Sequence, residues 1–87
     1  MASYELVVKK SVAEDLRAFP KQDVKRIMQR IRSLADDPRP PGCEKLSGQE
    51  RYRIRQGAYR VIYEIEDAGL TVLVVKVGHR RDVYRGS

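Results

Sequence analysis

Cysteine, histidine and long apolar runs are scarce in this chain. Its single cysteine, Cys43, cannot form an internal disulfide. With one histidine, His79, it cannot build a zinc site either. No cluster of metal ligands stands elsewhere, so no metal or other cofactor is expected, and a metal-dependent nuclease is disfavoured. Cys43 itself is expected to be a small loop residue. No apolar run approaches the ~18 residues that a membrane span needs. The opening residues, Met1-Ala2-Ser3-Tyr4-Glu5, lack a basic stretch followed by an apolar one, so a cytoplasmic location is expected. There is no internal repeat and no low-complexity segment.

What is present is a globular composition with a strong positive bias. Of 87 residues, 41% are hydrophobic, which is too many for a disordered chain. The length suits one domain, residues 1–87, with one modest core. The net charge of +6 points to a polyanion, an anionic surface or an acidic partner. The type of charge narrows this. Beyond position 50 every basic residue is arginine except Lys76. Arginine offers a rigid planar fork that matches phosphate.

Periodicity gives the elements. Residues 4–9 alternate as a strand. A helix of about ten residues follows, with Ser11 as N-cap, Glu14 completing a capping box, and Val12, Leu16 and Phe19 on one face. Pro20 ends it and can start the next helix, over 21–36, where Val24, Ile27, Met28, Ile31, Leu34 and Ala35 form an apolar stripe. Asp36 to Gly42 (D-D-P-R-P-P-G) stops that helix. Residues 37–49 are expected to be a linker within the domain, docked on the core through Lys45-Leu46. Strands follow at 51–56, 59–66 and 70–77, the last apolar on both faces as a central strand would be. The order β-α-α-β-β-β predicts an α+β domain, with two helices packed on one face of a small, mainly antiparallel sheet.

The hairpin register locates the chemistry. Gln56-Gly57-Ala58-Tyr59 fits a type II′ turn with Gly57 at its first central position. Arg55 then opposes Arg60, and cross-strand partners share a face. Arg53, Arg55 and Arg60 point one way, and Tyr52, Ile54, Val61 and Tyr63 point the other, toward the helices. Two readings stand at this point. One is a solvated face whose arginines pair with Glu50, Glu64 or Glu66. The other is an anion site, which would offset the cost of opposed like charges. The tail adds Arg80, Arg81, Tyr84 and Arg85 beside His79. Arginines can hold a scissile phosphate, tyrosine can stack on a base, and histidine titrates near neutrality. Cleavage without a metal normally needs an internal nucleophile. The ribose 2′-OH supplies one, so RNA is favoured over DNA.

Three stretches resemble the RelE toxins of bacterial and archaeal toxin–antitoxin systems, within the RelE/ParE superfamily. They are Lys45-Leu46-Ser47-Gly48, the run from Tyr52 to Tyr63 (YRIRQGAYRVIY), and the run from Val77 to Arg85 (VGHRRDVYR). Their order and spacing carry the resemblance across nearly the whole chain. It implies an endoribonuclease that cuts mRNA in the ribosomal A site by 2′-OH attack on the adjacent phosphate. By position, Arg53 and Arg55 match two basic residues around that phosphate, and Arg60 matches a phosphate-binding arginine. Arg80 matches an arginine that stabilises leaving group or phosphate, and Tyr84 a C-terminal tyrosine at the substrate base. Arg51, Arg81 and Arg85 are expected to contact RNA. Some members carry lysine where this chain has Arg53 and Arg55. Arginine keeps its proton to above pH ~12, so the general base stays open, with His79 as a candidate. The resemblance also implies partners: a RelB-like antitoxin, in a toxin–antitoxin hetero-oligomer, and the ribosome with its mRNA. A ParE-like toxin acting on DNA gyrase, without nuclease activity, is the alternative. A plain RNA-binding module that does not cut is a further rival.

Overall fold

A computed structural model describes residues 3–46 and 50–79. Its elements are β1 (Glu5–Val8), α1 (Lys10–Leu16), α2 (Lys21–Ser33), β2 (Glu44–Lys45), β3 (Arg51–Gln56), β4 (Tyr59–Glu66) and β5 (Thr71–His79). The strands form one sheet in the order β1-β5-β4-β3-β2. β1 runs parallel to β5, and the other neighbours are antiparallel. The expected α+β architecture is therefore present, in a five-stranded mixed sheet.

The core lies between the helices and one sheet face. Val12 of α1 and Ile27 and Ile31 of α2 are fully buried against Ile54, Val61, Tyr63, Val72 and Val74. Each such side chain contributes roughly 1.5–3 kcal/mol through burial. The period-2 pattern of β3 and β4 follows directly. Tyr52 and Ile54 face Tyr63 and Val61 across the ladder, and all four are buried.

Three helix boundaries differ from the sequence expectation. Ser11 is not an N-cap: α1 starts at Lys10, Lys9 holds the cap position, and no side chain caps it. β1 runs almost directly into the helix. The Lys9 amide donates to the Val74 carbonyl at 3.1 Å, while the Lys9 carbonyl accepts from Val12 and Ala13. Docking on β5 thus sets the start of the helix. α1 is also shorter than expected, at seven residues. The second helix ends at Ser33, and Leu34 to Asp36 continue as a tighter turn with bonds to Ile31, Arg32 and Ser33.

The segment after α2 is more than a linker. Glu44 and Lys45 pair with Arg53 and Tyr52 as the edge strand β2, and the Leu46 amide bonds to the Arg51 carbonyl at 2.8 Å. Pro38 and Pro40 are buried. Tyr63 Oη donates to the Pro38 carbonyl at 2.7 Å from inside the core. Burial pushes the Tyr63 hydroxyl well above its usual titration range, so it remains a donor. Outside the core, the Arg39 guanidinium grips both oxygens of Asp67 at 3.1 and 2.9 Å, donates to Tyr52 Oη at 3.3 Å, and lies over the Tyr52 ring. Tyr4 Oη donates to the same Asp67 at 2.8 Å.

Tyr63→Phe keeps the ring but leaves the Pro38 carbonyl without this donor. We expect a loss of about 1–3 kcal/mol, read as a lower urea midpoint with an unchanged slope. A midpoint equal to wild type would show that this bond does not anchor the segment.

Candidate functional site

The β3–β4 register is the predicted one. Arg55 opposes Arg60, Gln56 opposes Tyr59, and Gly57 takes φ +60° at the first central position of the turn. Glycine adopts that angle at no steric cost. The face away from the helices is then built in cross-strand rows. Arg55, Arg60 and Gly78 form the first row. Arg53, Ile62 and Lys76 form the second, and Arg51, Glu64 and Leu73 the third. Gly78 presents no side chain beside Arg60. Arg60 is nevertheless only 6% exposed, while the Arg53 side chain is 17% exposed and that of Arg55 is 58% exposed.

One carboxylate, missing from the sequence reading, sits among these arginines. Glu44 Oε2 accepts from Arg53 Nη2 at 2.6 Å, and Glu44 Oε1 lies 3.7 Å from Arg55 Nη2. The Arg53 hydrogen bond, and then the charges of Arg53, Arg55 and Arg60, hold the Glu44 carboxyl below the usual carboxylate range. Glu44 is ionised at neutral pH as a result. Its own strand, β2, is two residues long, too short to show a period, and it follows a proline-rich stop signal. The order C-E-K-L beside an arginine-rich hairpin was the only hint.

The expected partner Glu64 does pair, with Arg51 Nε at 2.8 Å. Glu50 pairs instead with Lys45 at 3.4 Å. Arg51 therefore belongs to a different environment from Arg53 and Arg55. The face is polarised: basic toward the hairpin turn, and acidic toward Glu50, Glu64 and Glu66. At the acidic end these three glutamates, with Val7 and Leu73, line a depression of about 390 Å³.

His79 lies on the other side of the sheet. It opposes Tyr59 in the ladder, edge-on to the Tyr59 ring at 5.9 Å. Tyr59 in turn packs on Phe19 at 4.9 Å and donates to Asp23 at 2.8 Å. The structure thus gathers Arg53, Arg55 and Arg60, keeps Arg51 one row away, and turns His79 toward the helices. Arg80, Arg81, Tyr84 and Arg85 lie outside the described residues. No group of metal-ligating side chains occurs among the described residues.

The comparisons agree with this architecture. The family model for the ParE toxin of type II toxin–antitoxin systems matches residues 6–84. The Toxin RelG of Mycobacterium tuberculosis is 44% identical over 34 residues, which is 39% of this chain and 39% of that protein. A Methanocaldococcus jannaschii protein carrying the name toxin RelE1 is 26% identical over 94% of this chain and 96% of its own. Among solved structures, the archaeal RelE–RelB complex from Pyrococcus horikoshii superposes with a TM-score of 0.81 at 28% identity. That match covers 90% of this chain and 96% of the other. The superposition shows a toxin fold of the RelE type. The chain belongs to the ParE toxin family of type II toxin–antitoxin systems, and within it is RelE-like.

The Arg39–Asp67 grip predicts a pH signature. Hydrogen bonds from Arg39 and then Tyr4 lower the Asp67 carboxyl from its ordinary value of 3.8. A lowered carboxylate contributes stability above its unfolded value and loses it as pH falls through the folded one. In Asp67→Asn the decline of melting temperature below about pH 4 should be shallower than in wild type. Parallel acid limbs for the two proteins would refute the coupling.

Proposed function

We propose that this toxin is a metal-independent endoribonuclease that cuts mRNA in the ribosomal A site and so stops translation. The observation that carries the reading is the convergence of Arg53, Arg55 and Arg60 on one sheet face, beside the Glu44 carboxylate. Opposed arginines destabilise a bare sheet, and a phosphate between them reverses the sign of that term. In the reaction, the ribose 2′-hydroxyl loses its proton as its oxygen bonds to phosphorus, and the 5′-oxygen takes up a proton as its bond to phosphorus breaks. The products are a 2′,3′-cyclic phosphate and a 5′-hydroxyl. Negative charge grows on the phosphoryl oxygens on the way, and fixed guanidinium donors stabilise it. Arg60 is held most rigidly, by burial at the centre of the sheet. Arg53 and Arg55 flank it and contact the backbone. Arg80 stabilises the leaving group, and Tyr84 stacks on the base or assists proton transfer. Arg51, Arg81 and Arg85 add RNA contacts at the margins. His79 packs on Tyr59 and positions the end of β5.

The same reading gives this toxin a RelB-like antitoxin, as in the Pyrococcus horikoshii complex, and a cytoplasmic location. A groove of about 420 Å³ between the helices fits an acidic amphipathic segment. Ala13, Leu16, Phe19 and Val24 form its apolar wall, with Arg17 and Lys21 at its rim. The ParE description of the matching family favours a second reading, a toxin acting on DNA gyrase.

Programmed ribosomes separate the two. Wild-type toxin should create new mRNA 5′ ends at the A-site codon, and Arg53→Ala, Arg60→Ala and Arg80→Ala should each slow this at least a hundredfold, about 2.7 kcal/mol of transition-state stabilisation. Uncut mRNA together with DNA damage in induced cells would overturn the nuclease reading. Cutting by all three variants at the wild-type rate would overturn the site.

A further inference from the structure

Glu44 bridges two arginines of this face. Its two oxygens are shared between two guanidiniums, with Oε2 on Arg53 at 2.6 Å and Oε1 near Arg55 at 3.7 Å. The two non-bridging oxygens of a phosphodiester would divide between the same forks in the same manner. The forks cannot serve both anions fully.

The two sides of this contact differ in how firmly they are held. Arg53 and Arg60 stand on long strands inside the sheet and are mostly covered. Glu44 stands on an edge strand of two residues, with its side chain 48% exposed. Gly42 just before it has φ +90° and open space around its α-carbon, so the chain turns sharply at that point. Glu44 is therefore the side chain that moves when another anion arrives.

We propose that Glu44 is a built-in counter-ion that occupies the phosphate position and is displaced by RNA, so that the toxin restrains its own affinity for RNA. This rests on reading the arginine face as an RNA phosphate site. The restraint has a chemical logic. Removing its charge would raise the affinity of this face for any exposed phosphate, because such binding is electrostatic and blind to sequence. With Glu44 in place, an isolated phosphate must compete with a carboxylate already bonded. A substrate held by several additional contacts supplies the extra free energy. Specificity thus arises from weakening the common element of all competitors.

The test is binding of a short single-stranded RNA with 2′-O-methyl riboses throughout, which lacks the attacking hydroxyl, to the full chain by fluorescence anisotropy. Glu44→Gln should bind about tenfold tighter than wild type, and Glu44→Ala similarly. The plot of log affinity against log salt should also steepen, by up to about 0.7, the slope of one further phosphate contact on a single strand. Glu66→Gln removes the same charge at the far, acidic end of the same face and should change affinity less than threefold. Equal tightening in Glu66→Gln would show a general field effect and overturn the proposal. So would Glu44→Gln binding no better than wild type, including the case where cleavage falls but affinity is unchanged, which would make Glu44 a proton acceptor. If both proteins bind the probe equally, the counter-ion role fails and the RNA reading stands. If neither binds it at any salt concentration, both fall.

Discussion

The register of the β3–β4 hairpin is the constraint on which the rest of this molecule depends. Side chains alternate faces with a strict period of two, so a slip of one residue would exchange the faces completely. Gly57, at φ +60°, makes the two-residue turn possible, and burial of Ile54, Val61 and Tyr63 penalises any other pairing. Loss of those three side chains to solvent would cost several kcal/mol, far more than any charge contact on the opposite face returns. The arginines are thus placed by the residues that alternate with them. Their position is a by-product of the apolar code.

That placement creates a local electrostatic problem, and the chain solves it with a segment of little regular structure. Arg55 faces Arg60 directly, and Arg53 and Lys76 stand in the next row. Glu44 supplies the nearest negative charge among the described residues. It can do so because the proline-rich run before it is anchored twice, by Tyr63 from within the core and by Asp67 gripping Arg39. The first anchor is buried and insensitive to salt. The second is exposed and subject to screening, so its contribution is small beside that of the first.

Most of the fold was legible in the sequence because it follows from periodicity. The stripe in α2, the alternation in β3 and the glycine turn each depend on local spacing, and each appears where expected. Ser11 misled because capping patterns compete with tertiary pairing. Here the ladder bond from Lys9 to Val74 sets the helix start. β2 and Glu44 were illegible for a different reason. Two residues cannot display a period, and a carboxylate that reaches across to Arg53 and Arg55 leaves no trace in local spacing. His79 shows the limit of adjacency. It follows Gly78 of the arginine row directly, and for that reason it faces the opposite way.

The parallel pairing of β1 with β5 also has a consequence for synthesis. Glu5 meets Thr71 and Val8 meets Val74, so the first strand has no partner until almost the whole described chain has been made. At roughly 5–20 residues per second this delay lasts on the order of several seconds. Through that interval the helices have no complete sheet to cover, and Arg60 lacks the neighbouring strand that holds it in place. Contacts this distant in sequence close slowly. The sheet that carries the arginine face is therefore completed only near the end of synthesis of the described residues.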